Sequence, residues 1–180
     1  AAALFTTTAM TAESAAQNGR TPTPAPSRNE GLFSPTELGL LETPDRADWQ
    51  KPELIMDTLK IAEAAKVADI GAGGGFFTVR LARRVGPNGR VYAQDIQPPM
   101  LEAIKRRVAR EGLNNVETRL GTGDDPNLPG GLDAVLVVDI YQEVDQPDRV
   151  TFLRNLARAL KPGGRIGIVN YKPGRGGPGP

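Results

Sequence analysis

The sequence predicts an open, doubly wound and mostly parallel α/β sheet in three α/β/α layers, and three patterns carry that prediction. Short apolar runs alternate with longer amphipathic ones, as strands alternating with helices require. A glycine-dense turn joins the first apolar run to the helix after it, at Val67-Ala68-Asp69-Ile70-Gly71-Ala72-Gly73-Gly74-Gly75-Phe76-Phe77. The run Ala134-Val135-Leu136-Val137-Val138 is apolar at every position, as a central parallel strand is when helices cover both its faces. Right-handed crossovers then give a parallel sheet with helices on either side.

Taken in order, residues 1–30 read as tail and linker and 31–50 as an irregular approach containing Trp49, read as a core residue sooner than a lid over the site. Order should begin near Lys51. Pro52 suits a first helical position, and Leu54, Ile55, Leu59 and Ile61-Ala62 supply an apolar stripe up to the first strand. That strand is Lys66–Ile70, followed by a helix over 75–85 that Gly86-Pro87-Asn88-Gly89 stops. The second strand is Arg90–Asp95, and a helix over 99–111 presents Met100, Leu101, Ile104 and Val108 on one face. A short strand at 115–120 leads into a loop, and the central strand occupies 133–139. A helix over 147–160 turns Val150, Leu153, Leu156 and Leu160 inward; Lys161-Pro162-Gly163-Gly164 makes a tight return to a last strand at 165–171. The folded unit thus spans 51–171, with a Gly/Pro tail at 172–180.

A chain of 180 residues with 39% hydrophobic residues buries one core. Its 22 Lys and Arg against 21 Asp and Glu leave no electrostatic footprint for nucleic acid or an anionic membrane. With no Cys, thiolate nucleophiles and disulfides are excluded; with no His, so are imidazole bases and His-ligated metals. No metal site is expected. No run approaches the roughly 20 apolar residues that span a bilayer. The Ala- and Thr-rich start, with Ala9-Met10-Thr11-Ala12 resembling a cleavage site, is read either as a signal-peptide remnant or as a disordered extension. Both a cytoplasmic and an exported location stay open.

The glycine turn suits a ligand, because its backbone can take positive φ and approach closely with no Cβ in the way. Asp95 follows twenty residues after Gly75, about where a carboxylate can accept the hydroxyls of a ribose. A second polar loop, Gly121-Thr122-Gly123-Asp124-Asp125-Pro126-Asn127-Leu128-Pro129, follows the third strand, so Asp95 and Asp124 should border one crevice. Asp124 could meet an adenine amino group or organise its own turn, with Asp125 as the adjacent candidate. These features point to a nucleoside-bearing cofactor. In the dinucleotide fingerprint the third glycine falls where this chain has Phe76, which disfavours a NAD-dependent oxidoreductase.

In these residues the chain resembles the class I S-adenosylmethionine-dependent methyltransferases over 51–171, with a Rossmann-like fold. The matching segments are Val67 to Gly75, Asp95, Gly123-Asp124-Asp125 through Leu128-Pro129, Leu132 to Tyr141, and Leu160-Lys161-Pro162-Gly163-Gly164-Arg165. The resemblance implies that Gly71, Ala72, Gly73 and Gly75 pass the methionine part of S-adenosylmethionine. It implies that Asp95 holds the ribose, with Ile96 beside it, and that Gly123, Asp124 and Asp125 border the adenine. Asp69 and Asp139 would lie near the amino group and methyl end. Asp139, Tyr141, Gln142 and Glu143 are the candidates to meet a methyl acceptor, a small molecule or a protein; a non-catalytic binding module is the alternative.

Two departures from the family pattern stand out. Gln142 and Gln146 occupy positions where related bacterial sequences often carry His, so a histidine-assisted deprotonation has no residue here. The family sheet continues past its fifth strand, whereas here Gly- and Pro-rich sequence follows, so either the chain is a fragment lacking the carboxyl-terminal strands or its last strand presents an edge that a partner, such as a second copy, must cover. The basic run Lys105, Arg106, Arg107 and Arg110 is expected to be a solvated helix face.

Overall fold

The computed structural model describes residues 33–170, so the expectations for the two tails lie outside the described residues. Five parallel strands form one sheet: β1 (Lys66–Ile70), β2 (Arg90–Asp95), β3 (Val116–Leu120), β4 (Leu132–Val138) and β5 (Leu160–Val169). Their order across the sheet is β3-β2-β1-β4-β5. The helices are α1 (Arg46–Gln50), α2 (Pro52–Thr58), α3 (Phe76–Val85), α4 (Pro98–Arg110) and α5 (Arg149–Ala159). The expected three-layer, doubly wound α/β architecture is present.

Alternation along the strands assigns the layers. Val67, Val91, Ala134 and Leu136 pack with Met56, Ile61, Phe77, Leu81 and Val85 from the α2 and α3 side. Ala68, Ile70, Val135 and Val137 pack on the other face with Phe152, Leu156 and Ala159 of α5. A third cluster seats Leu101 and Ile104 of α4 on Ala93. Because β1 and β4 are buried on both faces, neither shows the polar alternation of a solvent-facing strand.

Several local expectations change. The segment before Lys51 is not irregular: a 3₁₀ helix at Pro35–Glu42 and α1 precede it. Its N-cap Ser34 accepts the Thr36 N–H through its hydroxyl. Trp49 is half-buried on α1, neither a core residue nor an exposed one. Helix α2 ends at Thr58, because Lys60 adopts left-handed backbone (φ 55°) and Ile61 N–H returns to Met56 O. Leu54 therefore lies on the solvent side (64% exposed), while Met56, Leu59 and Ile61 are buried.

Helix α5 starts at Arg149, after a 3₁₀ turn at Gln146–Asp148. Its buried stripe is Phe152, Leu156 and Ala159, at spacings of four and three, which leaves Val150 exposed. The expected turn at 161–164 lies inside β5. Leu132 pairs with Leu160 and Ala134 with Arg165, so the residues between bulge out of the ladder around Gly163 (φ 80°). Within the described residues β5 pairs with β4 alone, as an edge strand.

Candidate functional site

Neighbouring strands β1 and β4 send their chains to opposite sides of the sheet, and the crevice of a doubly wound fold opens at that switch point, beyond the carboxyl ends of the strands. The loops after β1, β2, β3 and β4 meet there. After β1, Gly71, Gly73 and Gly75 all take left-handed backbone, with φ of 63°, 53° and 83°. A Cβ on Gly71 would fall 2.3 Å from Cγ1 of Ile140, so the loop after β4 packs directly on the glycine turn. Here glycine is required twice over, by φ and by space.

Asp95 ends β2 almost fully buried. Its Oδ2 accepts the Gly73 N–H (2.9 Å) and its Oδ1 the Gln97 N–H (2.9 Å). Burial raises its pKa, and the backbone N–H groups of Gln97, Gly73 and Ile96 oppose that rise. A carboxylate offers about four acceptor positions, so capacity remains for a hydroxyl donor. Ile96 stands beside it, 37% exposed, as an apolar surface at the mouth of the crevice.

Asp69 sits one position before the end of β1, buried beneath the loop, where Thr78 of α3 donates its hydroxyl to Oδ2 at 2.6 Å. Burial pushes this carboxyl up to about 6, against the Thr78 bond and the Arg46 charge. Asp139 follows β4 in left-handed backbone (φ 56°), with its N–H on Val169 O and its Oδ2 accepting from Gln50 Nε2 at 3.2 Å. It is half-buried, and burial raises its pKa while Gln50 and Arg46 pull it down.

Other candidates take different parts. Asp125 is exposed and shapes its own turn, with Oδ1 on the Asn127 N–H and its backbone on Thr122. Asp124 accepts the Thr122 hydroxyl and offers its carbonyl to Asn155 of α5, which ties the loop after β3 to the helix beside it. Gly123 has open space around its Cβ position. Ala72 donates its N–H to Gln94 O and joins the α4 cluster. Tyr141 packs against the α5 core cluster under the Arg149 guanidinium, Gln142 bonds the Asp139 carbonyl, and the Glu143 side chain is exposed. The carboxyl ends of β1, β2 and β4 thus gather Gly71 to Gly75, Asp95, Ile96 and Asp139, with Asp69 buried beneath them, while Tyr141, Glu143 and Asp125 serve the surrounding loops.

Residues outside the sequence motifs also build the site. Gln94 carries an Oε1 facing the Gly71 N–H at 3.4 Å, and Gln97 reaches the Phe33 carbonyl at 3.0 Å. Arg107, expected on a solvated face, donates to Gly74 O at 2.9 Å, while Lys105 on the same helix pairs with Glu102 in solvent. No sequence pattern distinguishes Arg107 from its neighbours; only the seating of α4 does. Surface hollows of about 460 and 390 Å³ lie elsewhere, one beside Arg80 and Arg107 behind α3 and one at the opposite strand ends beside Lys60 and Asp133.

A glycine turn of three positive-φ residues bonded to a buried strand-end carboxylate thus stands at the switch point of a doubly wound sheet. The family described as "Methyltransferase domain" matches residues 67–164. A S-adenosylmethionine-dependent methyltransferase of Aquifex aeolicus superposes with a TM-score of 0.76 at 30% identity, over 83% of this chain and 79% of that one. The chain belongs to the S-adenosylmethionine-dependent methyltransferases. It is 34% identical to nocamycin O-methyltransferase of Saccharothrix syringae over 66% of its own length and 42% of the relative's. It is 35% identical to arsenite methyltransferase of Halobacterium salinarum over 60% of its length and 27% of the relative's. The chain thus spans less than half of each of these curated relatives. Family membership sets aside the nicotinamide reading.

Proposed function

We propose that this chain binds S-adenosylmethionine in the crevice between the β1 and β4 loops and positions its methyl group for transfer to a small-molecule or protein acceptor. The observation that carries the proposal is the buried Asp95 carboxylate bonded to Gly73 of the positive-φ glycine turn. The residues fit the cofactor: Asp95 has acceptor capacity for ribose hydroxyls, Ile96 offers an apolar face for a planar base, and the left-handed backbone at Gly71, Gly73 and Gly75 lets the turn pass close to a ligand. Asp124 borders the base side and Asp69 supports the loop from beneath through Thr78. When bound, S-adenosylmethionine supplies a methyl group already activated on a sulfonium, so the protein's task is alignment and exclusion of water more than strong-base chemistry. Asp139, with its raised pKa, can accept an O–H or N–H of the acceptor in place of the absent histidine. The relatives carry names as different as nocamycin and arsenite, which supports methyl transfer and leaves the acceptor open.

Calorimetric titration with S-adenosylmethionine, S-adenosylhomocysteine and NAD tests the cofactor. Binding of the first two and not the third is expected; the reverse order would sink the proposal. Labelled methyl transfer into hydroxylated, amine and peptide acceptors then separates an enzyme from a non-catalytic binding module. We further infer that the outer edge of β5 pairs with a second copy, since among the described residues β4 is its one strand neighbour. Sedimentation velocity showing a monomer at every concentration would rule this out.

A further inference from the structure

Gln50 belongs to none of the motifs, yet it is a polar residue only 7% exposed, at the end of α1. Both ends of its amide are engaged. Its Oε1 accepts from Arg46 Nε at 2.9 Å, and its Nε2 donates to Asp139 Oδ2 at 3.2 Å. A guanidinium only donates and a carboxylate only accepts, so these partners fix which end of the amide faces which loop. Arg46 also lies over the Phe76 ring, 4.2 Å from its centroid, and Phe76 is the first residue of α3 after the glycine turn. One short helix therefore touches both walls of the crevice, the β1 loop through Arg46 and the β4 loop through Gln50.

On the β4 side Asp139 is held at three points. Its N–H donates to Val169 O at 2.8 Å, its carbonyl accepts from Gln142 Nε2 at 2.9 Å, and its carboxylate takes the Gln50 amide. The backbone bonds fix a left-handed conformation that few residues adopt, and Asp is among those that tolerate it. One of these contacts comes from strand β5 and one from the loop after β4, whereas the third comes from a helix distant in sequence. Burial of part of this carboxylate disfavours its charged form, and a hydrogen-bond donor opposes that. Gln50 is that donor.

We propose that Gln50 is a positioning residue for the acceptor side of the site: it orients the Asp139 carboxylate and keeps it able to accept a hydrogen bond from an O–H or N–H of the methyl acceptor. This rests on Asp139 facing the acceptor, as proposed above. Among the described residues, the charge that bears on Asp139 is Arg46 on α1; Asp69 lies near the end of the adjacent strand β1, Asp95 ends β2 one strand further, Glu143 lies in the same loop as Asp139, and Arg149 clamps that loop from α5 through the Gln142 and Val144 carbonyls. Burial pushes Asp139 toward its neutral form, and the Gln50 bond opposes it ahead of the Arg46 charge.

The test is a carboxyl ¹³C NMR titration of the full chain labelled at Asp, with the Asp139 signal assigned by its loss in Asp139→Asn. In Gln50→Leu the Asp139 midpoint should move to higher pH, by at least about threefold in proton affinity, the size of a weak net hydrogen bond. Gln50→Glu should move it further, through carboxylate repulsion. An unchanged midpoint in folded Gln50→Leu would overturn the proposal. Should Gln50→Leu fail to fold, Arg46→Met, which removes the anchor of the Gln50 amide, must raise the midpoint, and no change there overturns it equally. Calorimetry with S-adenosylhomocysteine on the same samples keeps the two readings apart, because a wild-type chain that fails to bind it sinks the cofactor site and leaves the titration result standing.

Discussion

At the scale of residues, the buried carboxyl of Asp69 sets a pH dependence. Its folded pKa of about 6 stands above the ordinary 3.8, so the folded state binds this proton more tightly than the unfolded chain does. The stability it contributes is fully present below the unfolded value and is lost as pH rises through 6. A difference of about two pH units corresponds to roughly 3 kcal/mol. Asp95 and Asp139, also raised by burial, act with the same sign. Urea unfolding of the unliganded protein at pH 4, 5, 6 and 7 should show declining stability, with a shallower decline in Asp69→Asn; identical slopes would take the effect away from Asp69. The neighbouring carboxylate is tested by ligand binding. Asp95→Ala should weaken S-adenosylhomocysteine by about 1.5 to 3 kcal/mol, the scale of lost charge-assisted hydrogen bonds. Unchanged calorimetric affinity would remove the ribose assignment.

At the scale of elements, the glycine turn and the loop after β3 respond differently to the same change. Gly71→Ala places a methyl group in left-handed backbone and within 2.3 Å of Ile140, combining about 1 to 2 kcal/mol of backbone strain with about 1 to 3 kcal/mol of overpacking. Gly123 meets nothing within 4 Å and has no positive φ, so Gly123→Ala should leave the melting temperature within about a degree of wild type. Thermal melts of the two variants side by side check the contrast, and equal losses would mean that the loop after β4 yields to admit the methyl group. The difference arises because the loop after β4 packs on Gly71 at the switch point, whereas Gly123 faces open space in its loop.

At the scale of the whole molecule, stability and binding should separate. Helix α5 covers the β4 and β5 side of the sheet through Phe152, Leu156 and Ala159, away from the glycine turn. Leu156→Ala removes a fully buried side chain and should cost about 2 to 5 kcal/mol of unfolding free energy. Well below its melting transition, the variant should bind S-adenosylhomocysteine as the wild type does, because the side chain removed lies in the core between α5 and the sheet while the crevice is built from the loops after β1 to β4. A parallel loss of affinity would show that α5 holds the crevice open through the Asn155 bond to Asp124.

The amino-acid pattern by itself determined the alternation of strands and helices, the central place of 134–138 and the glycine turn with Asp95 after β2. These are local properties, written in period, glycine placement and apolar runs, and they need no knowledge of what packs where. Strand bounds at Lys66–Ile70 and Arg90–Asp95 follow directly from them. Only the tertiary structure decided that α2 stops at Thr58, that 161–164 bulges within a strand and that Phe152 replaces Val150 in the core. It alone also brought in Gln50, Arg46 and Arg107. Each of these depends on a partner far away in sequence: Gln50 meets Asp139 across 89 residues, and Arg107 meets Gly74 across 33. A glutamine or an arginine carries no periodic signature of its own, so its role is set by the strand order that places two distant loops side by side.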